Sequence, residues 1–253
     1  MANQKWFPST LFAAVVGLSL IICCVILSRA VIRVKSSNEL IRVTGSARKQ
    51  IRSDFIIWKG RVVARGTTIA EAYAVLSDSM QKTKAYLESK GVPKNEILDR
   101  PIETQTLYAP PTKAEMMYPG SDVYRKPEGY ELTQEVEVRS TNVDLVDGLA
   151  RKATELISSG VAFESEPPEY IYTKLGEMKV TMLAEAAKDA RGRAEQIATN
   201  SGCRLGEVRY ARMSPLRITP AYAVVEVDEW GTNDTTSLDK DITAVVSVSY
   251  AVH

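Results

Sequence analysis

The residue types that most often carry chemistry are scarce in this chain. The only histidine is His253, the last of 253 residues, and a Ser-His-Asp or Cys-His site would depend on a chain end that is commonly frayed. One histidine and one cysteine outside the N-terminal apolar run, Cys203, cannot supply the usual ligand set for zinc. The sequence contains no phosphate-binding loop, dinucleotide fingerprint or nucleophile elbow. We therefore expect no metal site and no cofactor.

Three neighbouring carboxylates remain as candidates for acid–base catalysis: Glu164, Glu166 and Glu169. Catalytic carboxylates need a pocket that shifts their pKa values. These three flank Pro167 and Pro168, a pattern typical of a solvated acidic turn. We therefore expect no enzymatic activity and rank a carboxylate-dependent enzyme last among the possible functions.

The balance of charged residues indicates which classes of partner the chain can bind. It contains 32 Lys and Arg against 31 Asp and Glu, and Lys5 is the only charged side chain before Arg29. The body of the chain is therefore electrically neutral. Because binding to nucleic acid needs a basic face that displaces counterions, we expect no nucleic-acid partner.

Residues 10–28 predict a transmembrane helix. The stretch lacks charged residues and is nearly all apolar, and its length at 1.5 Å per residue matches roughly 30 Å of hydrocarbon. A cleaved signal peptide is the alternative, but no A-x-A-like cleavage site follows Leu27. We therefore predict a short tail over 1–9, an uncleaved anchor in the lipid bilayer over 10–28 and a juxtamembrane linker over 29–37. The predicted anchoring residues at the two interfaces are Trp6, Phe7, Arg29 and Arg33.

The segment from Leu175 to Val208 predicts a long helix followed by a strand. Its apolar stripe at helical spacing is made mostly of alanine: Leu183, Ala187, Ala190, Ala194 and Ile197. Gly202 suits the left-handed position just after the helix. Cys203 follows this stop with no activating histidine nearby in sequence, so we predict a buried, unreactive thiol.

Charged residues on the same helix predict ion pairs. Asp189 and Arg193 have the i,i+4 spacing that favours a pair within one helix. We expect pairs both within the helix and between subunits, from Asp189, Arg191, Arg193 and Glu195.

The remaining pattern predicts strands and helices in a mixed order. Strands are predicted over 40–45, 50–65, 97–107, 129–139, 161–173, 204–216 and 242–252. One helix follows a capping box of Thr68 and Glu71, and another follows Asn142. The second is predicted to bury Val146, Leu149, Ala153, Leu156 and Ile157. This order predicts an α+β fold in which helices pack on one face of largely antiparallel sheets.

Two structures remain open for residues 109–126. Proline and glycine favour a mobile loop. The apolar residues of the segment instead favour docking on a neighbouring subunit, because Met and Tyr are common at interfaces. They are Met116, Met117, Tyr118 and Tyr124.

Three segments resemble the SIMPL domain family. They are the stretch from VTGSA at 43–47 through TTIAEAYAVLSDSMQKTKAYLESKGVPKNEILDRPIETQTLY at 67–108, GYELTQEVEVRSTNVDLVDGL at 129–149, and A-x-D-A-x-x-R-A-E-x-I-A followed by G-x-x-L-G-x-V at 187–208. The resemblance extends over residues 38–252, with one departure at Ser53-Asp54, where the family often has Pro-Asp. It implies a SIMPL-like domain of antiparallel sheets with helices packed on them. It also implies a bacterial envelope protein that forms ring- or cage-like homo-oligomers.

The resemblance and the charge distribution disagree on the side of the membrane. Lys5 precedes the apolar run whereas Arg29, Arg33 and other basic residues follow it, which favours a cytoplasmic domain. The resemblance implies the periplasm, and we predict a single-pass protein of the bacterial inner membrane with a periplasmic domain. The expected function is a self-assembling envelope scaffold without catalytic activity, with a role in envelope stress. The alternative is a tethered module whose 109–126 loop binds a peptide, a lipid or an envelope protein.

Overall fold

The computed structural model describes residues 7–36, 39–110, 127–223 and 233–253, with side chains of the first helix described over 12–29. The helices in these ranges are α1 (Phe7–Ser36), α2 (Ile69–Ser89), α3 (Val143–Lys152) and α4 (Leu175–Asn200). The strands are β1 (Leu40–Arg52), β2 (Phe55–Gly66), β3 (Ile97–Tyr108), β4 (Pro127–Ser140), β5 (Phe163–Ser165), β6 (Glu169–Ile171), β7 (Leu205–Met213), β8 (Arg217–Pro220) and β9 (Asp239–Val252).

The described strands form two sheets in which every named pair is antiparallel. The first sheet has the order β1-β9-β7, with β8 also pairing with β9. The second has the order β3-β4-β2-β5, with β6 also pairing with β2. Helix α4 packs on the first sheet, whereas α2 and α3 pack on the second. The predicted α+β class with antiparallel sheets is therefore confirmed.

The α4 lobe, comprising β1, β7, β8, β9 and α4, has a core of small and aliphatic side chains. Strand β9 pairs with β1 along its full length and with β7 on its other side, so the last strand of the chain lies inside the sheet. Its alternating apolar residues face α4, as the sequence pattern predicts. The buried residues of this face are Ile242, Ala244, Val246, Val248 and Tyr250.

The α2–α3 lobe, comprising β2 to β6 with α2 and α3, is built around larger side chains. Trp58 is fully buried, and its ring centroid lies 6.0 Å from that of Phe163. The ring of Phe163 lies over Gly60, where an added Cβ would stand only 2.3 Å from Cζ of the ring. Leu76 and Leu87 of α2 complete the contact with the sheet.

The predicted helix boundaries are confirmed by their capping contacts. The Thr68 hydroxyl accepts a hydrogen bond from the Glu71 amide at 3.2 Å, and the Asn142 side chain accepts one from the Leu145 amide at 3.3 Å. Gly160 and Gly202 adopt φ angles of 83° and 73°, in the left-handed region that glycine occupies readily.

The first strand is longer than its sequence pattern predicts. We expected a break after Gly45, but β1 runs without interruption from Leu40 to Arg52 and the turn falls at Ser53-Asp54. The break was wrong because the polar residues after Gly45 lie on the face of β1 that α4 does not cover, while the strand continues to pair with β9. The strand predicted over 161–173 is interrupted at Pro167-Pro168, and β5 and β6 lie on either side of the two prolines.

Two apolar side chains near helix ends are more exposed than predicted. Ile157 was expected in the core, but 55% of its surface is exposed. Helix α3 ends at Lys152 and continues as a 3-10 turn over Ala153–Ser159, which has about three residues per turn instead of 3.6. The tighter winding rotates Ile157 away from the sheet. The thiol of Cys203 is also exposed rather than buried, because it follows the end of α4 in the turn that precedes β7.

The buried stripe of α4 differs from the predicted one. The buried residues are Met182, Ala186, Ala190, Ala194 and Ala198, which follow one another at a constant spacing of four. Leu183 and Ile197, which we predicted to be buried, are 37% and 46% exposed. A row of residues spaced by four is inclined to the helix axis, whereas the predicted row runs nearly along it. Leu183 and Ile197 consequently fall on opposite sides of the line of contact.

Candidate interaction surfaces

Helix α1 is the surface that contacts the membrane in the predicted topology. Over Phe12–Arg29 it is long and apolar enough to cross a membrane, and no part of the rest of the described chain covers this stretch. The helix continues past the predicted span to Ser36, so the residues after Arg29 extend the same helix. Of the predicted anchoring residues, Arg29 is exposed at the end of the span and Phe7 begins the helix; Trp6 lies outside the described residues, as do the side chains of Phe7 and Arg33.

The contact between α4 and β1 is unusually close. A Cβ atom added to Gly45 would stand 2.2 Å from the carbonyl oxygen of Ala186 and 2.4 Å from the amide nitrogen of Ala190. Side chains essentially never approach backbone atoms so closely, so the position accepts only glycine without a shift of the helix. The alanine stripe and this glycine together let the helix lie directly on the strand.

The charged residues of α4 form the pairs within the helix that their spacing predicts. Asp189 accepts hydrogen bonds from Arg193 Nε at 2.9 Å and from the Ser46 backbone amide at 2.8 Å. The bond from Ser46, followed by that from Arg193, lowers the pKa of Asp189. Asp189 thus ties the helix to β1. Arg191 Nε and Glu195 pair at 2.8 Å and are exposed, so they remain candidates for contacts between subunits.

The three candidate catalytic carboxylates are paired with basic side chains. Glu164 and Glu166 accept hydrogen bonds from Arg61 at 3.3 and 2.7 Å, and Glu169 lies 3.7 Å from Lys59 Nζ. These contacts join the short strands β5 and β6 to β2. The carboxylates therefore serve as cross-strand ion pairs and do not converge on a shared pocket. This arrangement suits a structural role better than acid–base chemistry.

Strand β4 carries a buried carboxylate that its sequence pattern predicts to be exposed. Glu137 is 1% exposed, although its alternation with Val136 and Val138 predicts an exposed polar face. It accepts hydrogen bonds from Arg100 Nε at 2.7 Å and from Arg139. Burial raises the pKa of Glu137, but the two guanidinium groups outweigh it and lower the pKa overall. Because Arg100 lies in a bulge of β3, this pair fixes the irregular start of that strand.

The junction between the two lobes holds a buried amine that no sequence signal indicates. Lys240 is 2% exposed, and its Nζ donates hydrogen bonds to the carbonyl oxygens of Tyr170, at 2.6 Å, and of Asp234. Burial lowers the pKa of Lys240, and the charge of Asp234 partly opposes this. The Tyr170 hydroxyl donates to Asp147 at 2.6 Å. Burial, followed by that hydrogen bond, raises the pKa of Tyr170 to about 12. These groups act as polar cross-links between β6, β9 and α3.

An open groove lies between α2 and β3. It has a volume of about 560 Å³, and Tyr73, Met80 and Ile102 provide its largest apolar side chains. The charged side chains that line it pair with each other, Lys84 with Asp99 and Lys94 with Glu88. We call this feature the α2–β3 groove.

The remaining predicted contacts lie outside the described part of the chain. Residues 111–126 include every apolar residue that we proposed for docking on a neighbouring subunit: Met116, Met117, Tyr118 and Tyr124. Within the ranges that the structure describes, no group of three or more His, Cys, Asp or Glu residues could hold a metal ion.

The comparison with protein families decides the assignment. Residues 41–250 match the model of the SIMPL family, described as a protein of unknown function (DUF541). The chain belongs to the SIMPL family. No curated protein matches it.

The motifs that resemble the SIMPL family occupy defined places in this SIMPL domain. The VTGSA segment supplies Gly45 in β1, and A-x-D-A-x-x-R-A-E-x-I-A supplies Ala190, Ala194 and Asp189 in α4. Those residues meet across the closest helix–sheet contact of the α4 lobe. The two motifs therefore describe the two sides of one packing contact, which accounts for them without any catalytic role.

Proposed function

We propose that this SIMPL protein is a membrane-anchored, non-catalytic scaffold of the bacterial cell envelope that assembles with further copies of itself. One observation carries the proposal: an uncovered apolar helix precedes a domain whose three candidate catalytic carboxylates are all held in ion pairs. The anchor holds the domain at the bilayer surface. The paired charges are consistent with a domain that has a structural role.

The absence of catalysis is supported by the state of the best catalytic candidates. Glu164, Glu166 and Glu169 are held by Arg61 and Lys59. A general acid needs a proton-donating atom, and a general base a proton-accepting atom, that is free to face a substrate. Carboxylates held in cross-strand ion pairs do not meet that requirement.

Self-assembly is supported by the free edge of the first sheet. Within the described residues, β1 pairs only with β9, so one edge of its 13 residues is open. That strand carries Arg42, Arg48, Lys49 and Arg52 and no acidic residue. Arg48 and Arg52 are paired with Asp241 and Asp144. Arg42 and Lys49 would still bring like charges together in a two-fold dimer through β1, which disfavours that dimer. A heterologous interface, in which β1 of one copy contacts a different surface of the next copy, is favoured instead. Anchors in one membrane give all copies the same orientation, and such contacts then close into a ring.

The test is the mass of the full-length protein in detergent, measured by native mass spectrometry beside a shortened chain that begins at Asn38. We expect one large discrete oligomer in both samples. A monomer in both samples would overturn self-assembly and leave a tethered domain. An oligomer of the full-length chain alone would place the contacts in α1 rather than in the domain.

The periplasmic location is tested by the exposed thiol of Cys203. The other cysteines, Cys23 and Cys24, lie in the apolar stretch of α1. We expect a membrane-impermeant maleimide to label Cys203 in spheroplasts with an intact inner membrane, and a Cys203→Ser variant to remain unlabelled. Labelling of Cys203 only after lysis would place the domain in the cytoplasm, as the count of basic residues favours. A link to envelope stress is tested separately, by comparing the survival of a deletion strain under osmotic and oxidative challenge.

A tethered binding module is the second candidate. Its predicted binding loop, over 109–126, lies mostly outside the described residues. The α2–β3 groove is the observation that favours this candidate.

A further inference from the structure

We propose that the α2–β3 groove binds an extended, uncharged polypeptide segment of a partner protein, which adds to β3 as a further strand. The proposal does not depend on self-assembly, because it concerns the second sheet and a different edge from that of β1.

Strand β3 is an open edge of the second sheet. Among the described residues it pairs on one side with β4 and has no strand on its other side. Residues 98–105 are all exposed. The outward N–H and C=O groups of such an edge are satisfied by water or by another strand, and addition of an extended peptide is a known mode of recognition.

The face of β3 that points toward α2 is also uncovered. Ile102 lies opposite Gln134 and Thr104 lies opposite Leu132, and directly opposed residues of an antiparallel pair point to the same side. Leu132 belongs to the core, so Ile102 and Thr104 face the α2 side. Helix α2 packs over β2 and β4 and leaves room beside it above β3. Alternate side chains of an added strand would therefore enter the α2–β3 groove.

The lining of the groove indicates the chemistry of the occupant. Tyr73 and Ile102 offer apolar surface, and they are 55% and 37% exposed. The four charged lining residues form two neutral pairs, Lys84 with Asp99 and Lys94 with Glu88 at 3.5 Å. A charged occupant would find no unpaired opposite charge there and would lose hydration on entering. Ser77, Gln81 and Gln134 add uncharged polar groups to the lining. The groove therefore suits an uncharged segment whose alternate side chains contact the apolar surface of Tyr73 and Ile102.

The bulge in β3 limits where an added strand can pair. Pairing with β4 shifts between Asp99 and Ile102, and Pro101 has no N–H to donate. Glu137 fixes this bulge through Arg100. A second shift in pairing falls between Leu107 and Tyr108. Regular pairing is consequently confined to the part of β3 from Ile102 to Leu107. We infer that the partner contributes a segment of about six residues, roughly 20 Å of extended chain.

The experiment selects a peptide on the intact protein. Full-length protein in nanodiscs is the bait for a phage-displayed library of random nonapeptides, and the enriched peptide is synthesised with a fluorophore for anisotropy titration. We expect enrichment of peptides with apolar residues at alternate positions and no charge at the centre. Tyr73→Ala and Ile102→Asp should each weaken binding at least tenfold.

Matched variants on the other lobe act as controls. Tyr210→Ala and Val208→Asp alter exposed residues of β7, 60% and 55% exposed, and should leave peptide affinity unchanged. Circular dichroism melting of all four variants establishes that each is folded. Because strand addition uses every second peptide amide, N-methylation along the peptide should abolish binding at alternate positions only.

Three results would overturn the inference. The first is a library from which full-length protein enriches no peptide above empty nanodiscs. The second is a selected peptide that binds the Tyr73→Ala and Ile102→Asp proteins as tightly as the unaltered protein. The third is a methylation profile without alternation. If Ile102→Asp instead lowers the oligomeric mass, the groove holds a second copy of the chain and the assignment to a partner protein is wrong.

Discussion

The two lobes of this SIMPL domain both place helices on antiparallel sheets, but they fill the space between helix and sheet with side chains of opposite size. In the α4 lobe, alanines lie against Gly45 and the backbones nearly touch. In the α2–α3 lobe, Trp58 and Phe163 occupy the space between the layers. A layer of small residues tolerates no added atom, whereas a layer of large residues tolerates no lost one. We therefore expect enlargement at Gly45 to be the critical substitution of the α4 lobe and truncation at Trp58 that of the α2–α3 lobe, where Gly60 beneath Phe163 also resists enlargement.

The largest expected effect is truncation in the α2–α3 lobe. Trp58→Ala should lower the free energy of unfolding by about 3–5 kcal/mol, because it empties a fully buried site. It also removes the indole donor of the 3.1 Å hydrogen bond to Ser165. Urea unfolding of the detergent-solubilised protein measures the loss. Tyr73→Ala, at a position that is 55% exposed, is the control and should change stability by less than about 0.5 kcal/mol.

The next effect is enlargement in the α4 lobe. Gly45→Ala should cost up to about 3 kcal/mol, because the added methyl group meets the backbone of α4 and the helix must move. Gly192→Ala is the matched control within α4, since an added Cβ there meets no atom within 4 Å. It should stabilise the helix by up to about 1 kcal/mol. Equal effects of the two substitutions in urea unfolding would contradict the close contact at Gly45.

The junction between the lobes gives an effect that depends on pH. The pKa of Tyr170 is raised to about 12, so its neutral hydroxyl is favoured in the folded state. Its contribution is fully present below pH 10, the ordinary pKa, and is lost as the pH rises from 10 to 12. The unaltered protein should therefore lose on the order of 2 kcal/mol more than Tyr170→Phe over that range. Urea unfolding of both proteins from pH 9 to pH 12 measures the difference, and parallel curves would contradict it.

The smallest effect is expected at Cys203. Because its thiol is exposed, Cys203→Ser should change the free energy of unfolding by less than about 0.5 kcal/mol. A loss of more than 1 kcal/mol would instead support the buried position that the sequence predicts. This substitution also tests whether the end of α4 belongs to the closely packed part of its lobe.

Local signals in the sequence predict most of the helices and strands of the fold. Thr68, Asn142 and Gly202 mark helix boundaries through contacts or angles within a few residues, and the structure confirms each of them. The apolar alternation of β9 likewise predicts its buried face. These features depend on neighbours along the chain, so a sequence pattern contains the information that defines them.

The candidate surfaces were less predictable because their residues are distant in sequence. Glu137 has the position of an exposed strand residue, and only Arg100, brought beside it in β3, accounts for its burial. Lys240 is buried because Tyr170 and Asp234 present carbonyl oxygens to it across the junction of the lobes. The α2–β3 groove depends on where α2 lies above the sheet, which no spacing within α2 or β3 specifies.

Helix α4 separates what the sequence determines from what the tertiary structure decides. Its alanine-rich composition, its charged pairs at i,i+4 and its stop at Gly202 follow from local helix physics. Which residues it buries does not, because a helix that crosses a twisted sheet at an angle contacts it along an inclined row. The angle at which α4 crosses β1 and β9 thus selects Met182 and Ala198 over Leu183 and Ile197. Along this row α4 approaches the backbone of β1 most closely at Gly45, a residue about 140 positions away in the chain.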